Sequence, residues 1–315
     1  AARMIGADAD EIALVGNTTA GISLVADGLD WKDGDNVVTL ADEFPSNVYP
    51  WMNLASRGVE TRRARTELSG RLDLDRLGEA IDGRTRIVAV SWVSFATGYQ
   101  HDVARIAELA HERGALLFLD AIQGLGAFPI DVGALGIDFM SAGGHKWMLG
   151  PGGAGVAYIP RENLGPGWHS VAPGQEFTHI ELNLRKTAAR YEGGSQNNAG
   201  FLALGASLEL LGELGVENVA ASVLDITDRA CERLAKIGAK IVTDRRLDHR
   251  GGEQRSGIVA FEMPGGKDPM ALKKHAMAQN VVFACRAGRL RISPHAYNNE
   301  EDLDRLVEAL TSFRP

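Results

Sequence analysis

The sequence predicts an α/β protein: a mostly parallel sheet covered by helices, followed by a smaller α+β domain. Three observations carry this. Strand-like and helix-like segments alternate through the first two-thirds of the chain, the βαβ rhythm that builds parallel sheets. Ala115–Leu119 is wholly apolar, as a strand buried on both faces must be. After Gly200 the rhythm stops, and two long helical patterns lead into short strands.

The elements follow in order. Glu11–Val15 is a short strand, Thr18–Gly28 a helix, Asn36–Leu40 a strand, and a helix is expected from about Asn47 to Gly58. Arg86–Val93 is an apolar strand rich in β-branched residues. Val103, Ile106, Ala107 and Ala110 recur at helical spacing over Val103–Arg113. Strands at Ala115–Leu119, Ile137–Ser141 and Gly155–Ile159 complete the first unit. Helices at Phe201–Leu214, Val219–Ile237, Pro269–Gln279 and Glu300–Leu310, with strands at Lys240–Thr243, Gly257–Glu262 and Val281–Cys285, make the second. The expected domains are residues 1–198 and 199–315. The loops Pro160–Gln175 and Arg245–Ser256, rich in glycine and charge, are expected to move.

Bulk properties narrow the function. The 315 residues are 45% hydrophobic, enough for a full core. A net charge of −8 gives no global basic field for nucleic acid or acidic membranes. The Arg62, Arg63, Arg65 cluster reads as a solvated edge. Cys231 and Cys285 are far apart, which argues against a disulfide framework or a cysteine-built metal site and fits a reducing, cytoplasmic setting. No apolar run approaches the ~20 residues of a membrane helix.

Four groups carry chemistry. Asp120 ends the apolar strand, where open α/β sheets place ligand contacts. Lys146 lies in Gly143-Gly144-His145-Lys146-Trp147, a turn after the next strand. Asn17-Thr18-Thr19-Ala20-Gly21 opens a helix after a strand, where free N–H groups and hydroxyls make an anion site. Arg291, near a strand end, suits a carboxylate gripped by two parallel bonds. Each has an ordinary reading alone: a helix cap, a surface lysine, a Thr/Asn cap, an exposed arginine. Together, an amine for a Schiff base and an acid for a pyridinium nitrogen suit pyridoxal phosphate.

These groups, in this order, resemble the class V aminotransferase and cysteine desulfurase superfamily of fold-type I pyridoxal-phosphate enzymes. The most specific parts are Asp120-Ala121-Ile122-Gln123, Gly144-His145-Lys146, Arg190-Tyr191-Glu192-Gly193-Gly194-Ser195 and Arg291-Ile292-Ser293-Pro294-His295. The resemblance implies a large domain with a seven-stranded sheet. It makes Lys146 the Schiff-base lysine and Asp120 the partner of the ring nitrogen. Gln123 would bond the ring hydroxyl, and Thr18, Thr19 and His145 the phosphate. Ser195 would reach the phosphate of a neighbouring subunit's cofactor, implying a homodimer with shared active sites. Arg291 would bind the substrate α-carboxylate. The resemblance also implies a segment ahead of residue 1 that helps shape the pocket and is absent here.

There are departures. Phe44 stands where desulfurases carry a ring-stacking histidine; phenyl stacks but shuttles no proton. Phe95 replaces a common Asn, and Gly143 a phosphate-binding Ser. Desulfurases need a nucleophilic Cys on a mobile loop, whereas Cys285 falls inside a predicted strand near Arg291. The leading expectation is an aminotransferase acting on an amino acid with a free α-carboxylate, with no metal. A C–S (β-)lyase or an epimerase of the same superfamily is the alternative. A cofactor-binding protein without turnover is the alternative of another class. Trp51, Trp92, the Pro160–Gln175 loop and the partner subunit are the expected pocket walls.

Overall fold

The computed structural model describes residues 1–163, 184–246 and 254–314. The chain opens with a one-turn helix, α1 (Ala2–Ile5), and continues through β1 (Ile12–Val15), α2 (Thr18–Gly28), β2 (Asn36–Leu40), α3 (Tyr49–Met52), β3 (Glu60–Ala64), α4 (Leu74–Ala80), β4 (Thr85–Ser91), α5 (Val103–His111), β5 (Leu116–Asp120), β6 (Phe139–Gly143) and β7 (Gly155–Tyr158). These strands form one seven-stranded sheet in the order β1-β7-β6-β5-β4-β2-β3. Only the pairings of β7 are antiparallel. The chain is thus α/β with a mostly parallel sheet, as expected. Leu40, Ser91, Asp120 and Gly143 end neighbouring parallel strands, and that carboxyl edge is where such sheets bind ligands.

Period-2 alternation splits the core between the sheet's two faces. Leu117 and Leu119 point one way, packing in one cluster with Leu77, Ile106, Leu204 and Leu211. Phe118 points the other way, packing with Ile22, Trp51 and Phe139. Trp51 and Trp92 are both buried in this core, so neither forms the pocket wall expected of it. Helix α2 presses against β6: a methyl at Gly21 would lie 2.2 Å from Ser141 Oγ, so only glycine permits this approach.

The chain continues through α6 (Asn198–Leu214), α7 (Val216–Lys236), β8 (Lys240–Ile241), β9 (Val259–Glu262), α8 (Pro269–Met277), β10 (Ala284–Arg286), β11 (Arg289–Ile292) and α9 (Glu300–Ser312). These four strands form a second, antiparallel sheet ordered β10-β11-β9-β8. Helix α7 belongs to both cores. Val219 and Val223 join the large cluster, while Ile226, Ala230 and Leu234 pack on Phe261, Leu290 and Leu306. We propose the domain division at 198/199, although α6 and the start of α7 pack on the larger core. Among the described residues no single helix is long and apolar enough to cross a membrane.

Three local features differ from the sequence reading or set up the site. The helix expected from Asn47 to Gly58 is a single α turn between two 3₁₀ pieces, Pro45–Asn47 and Asn53–Arg57; Pro50 supplies no N–H, and Gly58 ends the segment at φ 75°. Strand β3 and helix α4 were not anticipated. Residues Ala287 and Gly288 join β10 to β11 in a two-residue turn with φ 48° and 73°, the left-handed pair a tight hairpin demands. The expected mobile loops fall largely outside the described residues.

Candidate active site

The site assembles at the carboxyl edge of the large sheet, and the turn after β6 is its centre. The Gly143 N–H donates to Thr18 Oγ1 at 2.9 Å, and Ser141 Oγ donates to the Thr18 carbonyl at 3.2 Å. These bonds lock the first turn of α2 to the start of the lysine turn. Asn17 Oδ1 accepts the Ala20 N–H at 2.9 Å, capping the helix, while the Thr18 and Thr19 N–H groups at its N-terminus have no partner within the helix. Thr19 Oγ1 donates to Ser46 Oγ at 2.8 Å.

On its far side the lysine turn is held through Trp147. Its indole N–H donates to Gln123 Oε1 at 3.3 Å, and its ring stacks on His295 with centroids 5.3 Å apart. Lys146 therefore projects from a turn fixed at both ends. Its amine lies 5.9 Å from the centre of the Phe44 ring. Phe44 is 43% exposed and meets Phe95 edge to face at 5.2 Å.

Charge organises the rest. Asp120 is 2% exposed, and its Oδ1 accepts one backbone N–H, from Ile122, at 3.0 Å. Burial raises this carboxyl to about 6 against the pull of that bond and of Lys146. Burial likewise lowers the Lys146 amine to about 8; Asp120 opposes the shift, and Arg291 and Arg286 add to it. Burial, then Arg286, brings Arg291 down to about 10. Arg291 donates through Nη1 to the Phe95 carbonyl, and its Nε is buried with no partner among the described residues. Partial burial, then the Lys146 charge, keeps the His145 imidazole below its ordinary range.

The structure thus brings Thr18, Phe44, Asp120, Gln123, Lys146 and Arg291 around one edge. Ser195 is exposed and bonds to none of them. Sequence reasoning missed Glu43, a buried acid bonded to Ser91. The signal was faint: Asp42-Glu43 looks like an ordinary polar loop until the burial of neighbouring β2 is known.

These residues fit pyridoxal phosphate. Asp120 has one oxygen taken by a backbone donor and can accept a ring N–H at the other. Arg291 carries an orphaned buried donor. The model of the family described as "Aminotransferase class-V" matches residues 1–306. The chain belongs to the class-V aminotransferase family. This class-V chain is 32% identical to a probable cysteine desulfurase of Methanothermobacter thermautotrophicus, covering 98% of this chain and 80% of that one. It is also 32% identical to a cysteine desulfurase of Cronobacter sakazakii, over 96% and 77%. The apo structure of a cysteine desulfurase from Thermococcus onnurineus matches with a TM-score of 0.87 at 27% identity, over 98% and 80%. The class-V chain is therefore a pyridoxal-phosphate enzyme of fold type I.

Proposed function

We propose that the protein is a pyridoxal-phosphate-dependent C–S lyase acting on a sulfur-bearing amino acid with a free α-carboxylate, and that the sulfur leaves without passing through a cysteine of the protein. The observation that carries this is the β10–β11 register. Ala284 opposes Arg291, Cys285 opposes Leu290, and Arg286 opposes Arg289. Opposed residues share a face and successive ones alternate. Cys285 therefore shares the face of Leu290, which is buried in the small core, opposite to Arg291. Cys231 lies on α7, where burial raises its thiol. The cysteine desulfurase names of the relatives support C–S chemistry.

Bound pyridoxal phosphate supplies an electron sink that makes the substrate Cα–H acidic. Lys146 would tether that group and would move the Cα proton at Nζ; near 8, about a tenth of its free amine is neutral at pH 7. Asp120, ionised at neutral pH, would hold a protonated ring nitrogen. The Thr18–Thr19 end of α2 and His145 would hold the phosphate. Arg291 stays cationic and grips the α-carboxylate. Phe44 covers the face of the pocket at Lys146 and excludes water. The C–S bond breaks with its electron pair on sulfur; with cysteine and water, the products are pyruvate, ammonia and sulfide. We further propose a homodimer in which Ser195 completes the partner's phosphate site.

Transamination is the second reading, supported by the match to the family described as "Aminotransferase class-V". Single amino acids added to the loaded protein separate the two. Release of sulfide and ammonia with unchanged cofactor supports the lyase. Stoichiometric conversion to the pyridoxamine form, reversed by a 2-oxo acid, establishes transamination instead.

A further inference from the structure

The loop between β2 and α3 carries a carboxyl that this chemistry does not use. Glu43 is buried, and one residue takes both its oxygens: the Ser91 N–H donates to Oε1 and Ser91 Oγ to Oε2. Ser91 ends β4 in register with Asp120 at the end of β5. Its carbonyl oxygen meets His101 Nδ1 at 2.8 Å. Asn47 is the loop's second anchor. Its carbonyl accepts from Thr39 Oγ1 at 3.3 Å, and its Oδ1 accepts from Trp51 Nε1 at 3.0 Å. Between these anchors lies Phe44, the residue that reaches the Lys146 amine.

We propose that Glu43 is a positioning residue for the cofactor pocket: through Ser91 it fixes the Asp42–Asn47 loop to the end of β4, and so holds Phe44 at Lys146, beside Asp120. The proposal rests on the cofactor and holds for either reaction at the site. Burial, and then the charges of Asp120 and Asp42, push Glu43 up to about 8 against its bonds to Ser91. The ionisable groups that face it are Asp42 on its own loop, Asp120 on β5 and, through Ser91, His101, whose burial keeps it neutral. Glu43 is thus a neutral acid at pH 7. A second negative charge beside Asp120 arises only as pH rises through about 8, and there it favours cationic forms of the groups that Asp120 faces.

Pyridoxal phosphate binding to the apoprotein tests this, followed at pH 7 by tryptophan fluorescence and by the visible band of the bound cofactor. Glu43→Gln keeps both bonds to Ser91 without a charge; Glu43→Ala keeps neither. The expected dissociation constant of Glu43→Gln is within about threefold of the parent, and that of Glu43→Ala is weaker by about tenfold or more. Ser91→Ala, which retains the backbone bond, falls between. Parent-like binding by Glu43→Ala, or binding by Glu43→Gln as weak as that of Glu43→Ala, would overturn the proposal. Should Glu43→Ala not fold, Ser91→Ala decides in its place: binding as tight as the parent's would overturn it.

Discussion

The Lys146 amine and the Phe44 ring face each other at 5.9 Å, within the range of a cation–π contact. Replacing Phe44 with Ala is expected to weaken pyridoxal phosphate binding about 2- to 10-fold, the worth of one aromatic contact. Equilibrium titration of the apoprotein measures this. Unchanged affinity would remove Phe44 from the pocket.

The apoprotein amine must be neutral to capture the cofactor's aldehyde. With Lys146 near 8, the attachment rate is expected to rise about tenfold per pH unit below 8 and to level off above it. Asp120 raises the amine's pKa, so Asp120→Asn is expected to move the break to lower pH. Stopped-flow absorbance reads both. A break near 10 would show the amine to be solvated.

Lys146→Ala is expected to cost about 10²–10⁴-fold in turnover from lost proton transfer alone. Borohydride reduction followed by peptide mass mapping gives the cleaner result: the cofactor label should sit on Lys146 and vanish in the variant. A reducible adduct persisting at the same site would transfer the role to another amine.

Asp120 also makes a prediction about stability. Its folded pKa, about 6, lies above its ordinary value of 3.8. Ionising it costs stability, a penalty absent below about pH 4 and complete above about pH 6. The size, net of the attraction to Lys146, is on the order of 3 kcal/mol. Without cofactor, Asp120→Asn should therefore melt above the parent at pH 8 and match it at pH 4. A lower melting point at pH 8 would mean that the attraction to Lys146 outweighs burial.

Neither cysteine belongs to the proposed chemistry. Cys285→Ala and Cys231→Ala should each retain sulfide release within about twofold. Loss of sulfide release with Cys285→Ala, with cofactor binding intact, would restore a protein-bound sulfur step.

Much of this was legible in the sequence because the signals were local. The all-apolar run into Asp120 marked β5, and the glycine pair before Lys146 marked the turn after β6. The Val103–Ala110 spacing gave the buried stripe of α5. Other features depend on what packs where. Strand β3, Glu60–Ala64, carries three charged residues and has no apolar alternation; parallel pairing with β2 creates it. Pro50 interrupts a segment whose composition otherwise reads as helix. Trp51 looked like a pocket wall because aromatic residues suit ligands, yet it lies under the sheet against Phe118. Glu43 was invisible because its burial comes from β4, far along the chain.

The turn at Ala287 and Gly288 has a consequence for the fate of sulfur. Two residues, both with positive φ, are the shortest link that can reverse a hairpin. No spare chain remains at that tip to swing a thiol across to the opposite face. In the proposed reaction the liberated atom is therefore handed to solvent, not to a covalent carrier. Such an enzyme is a tap and not a ferry: it supplies diffusible sulfide, and the recipient must bring its own means of capture.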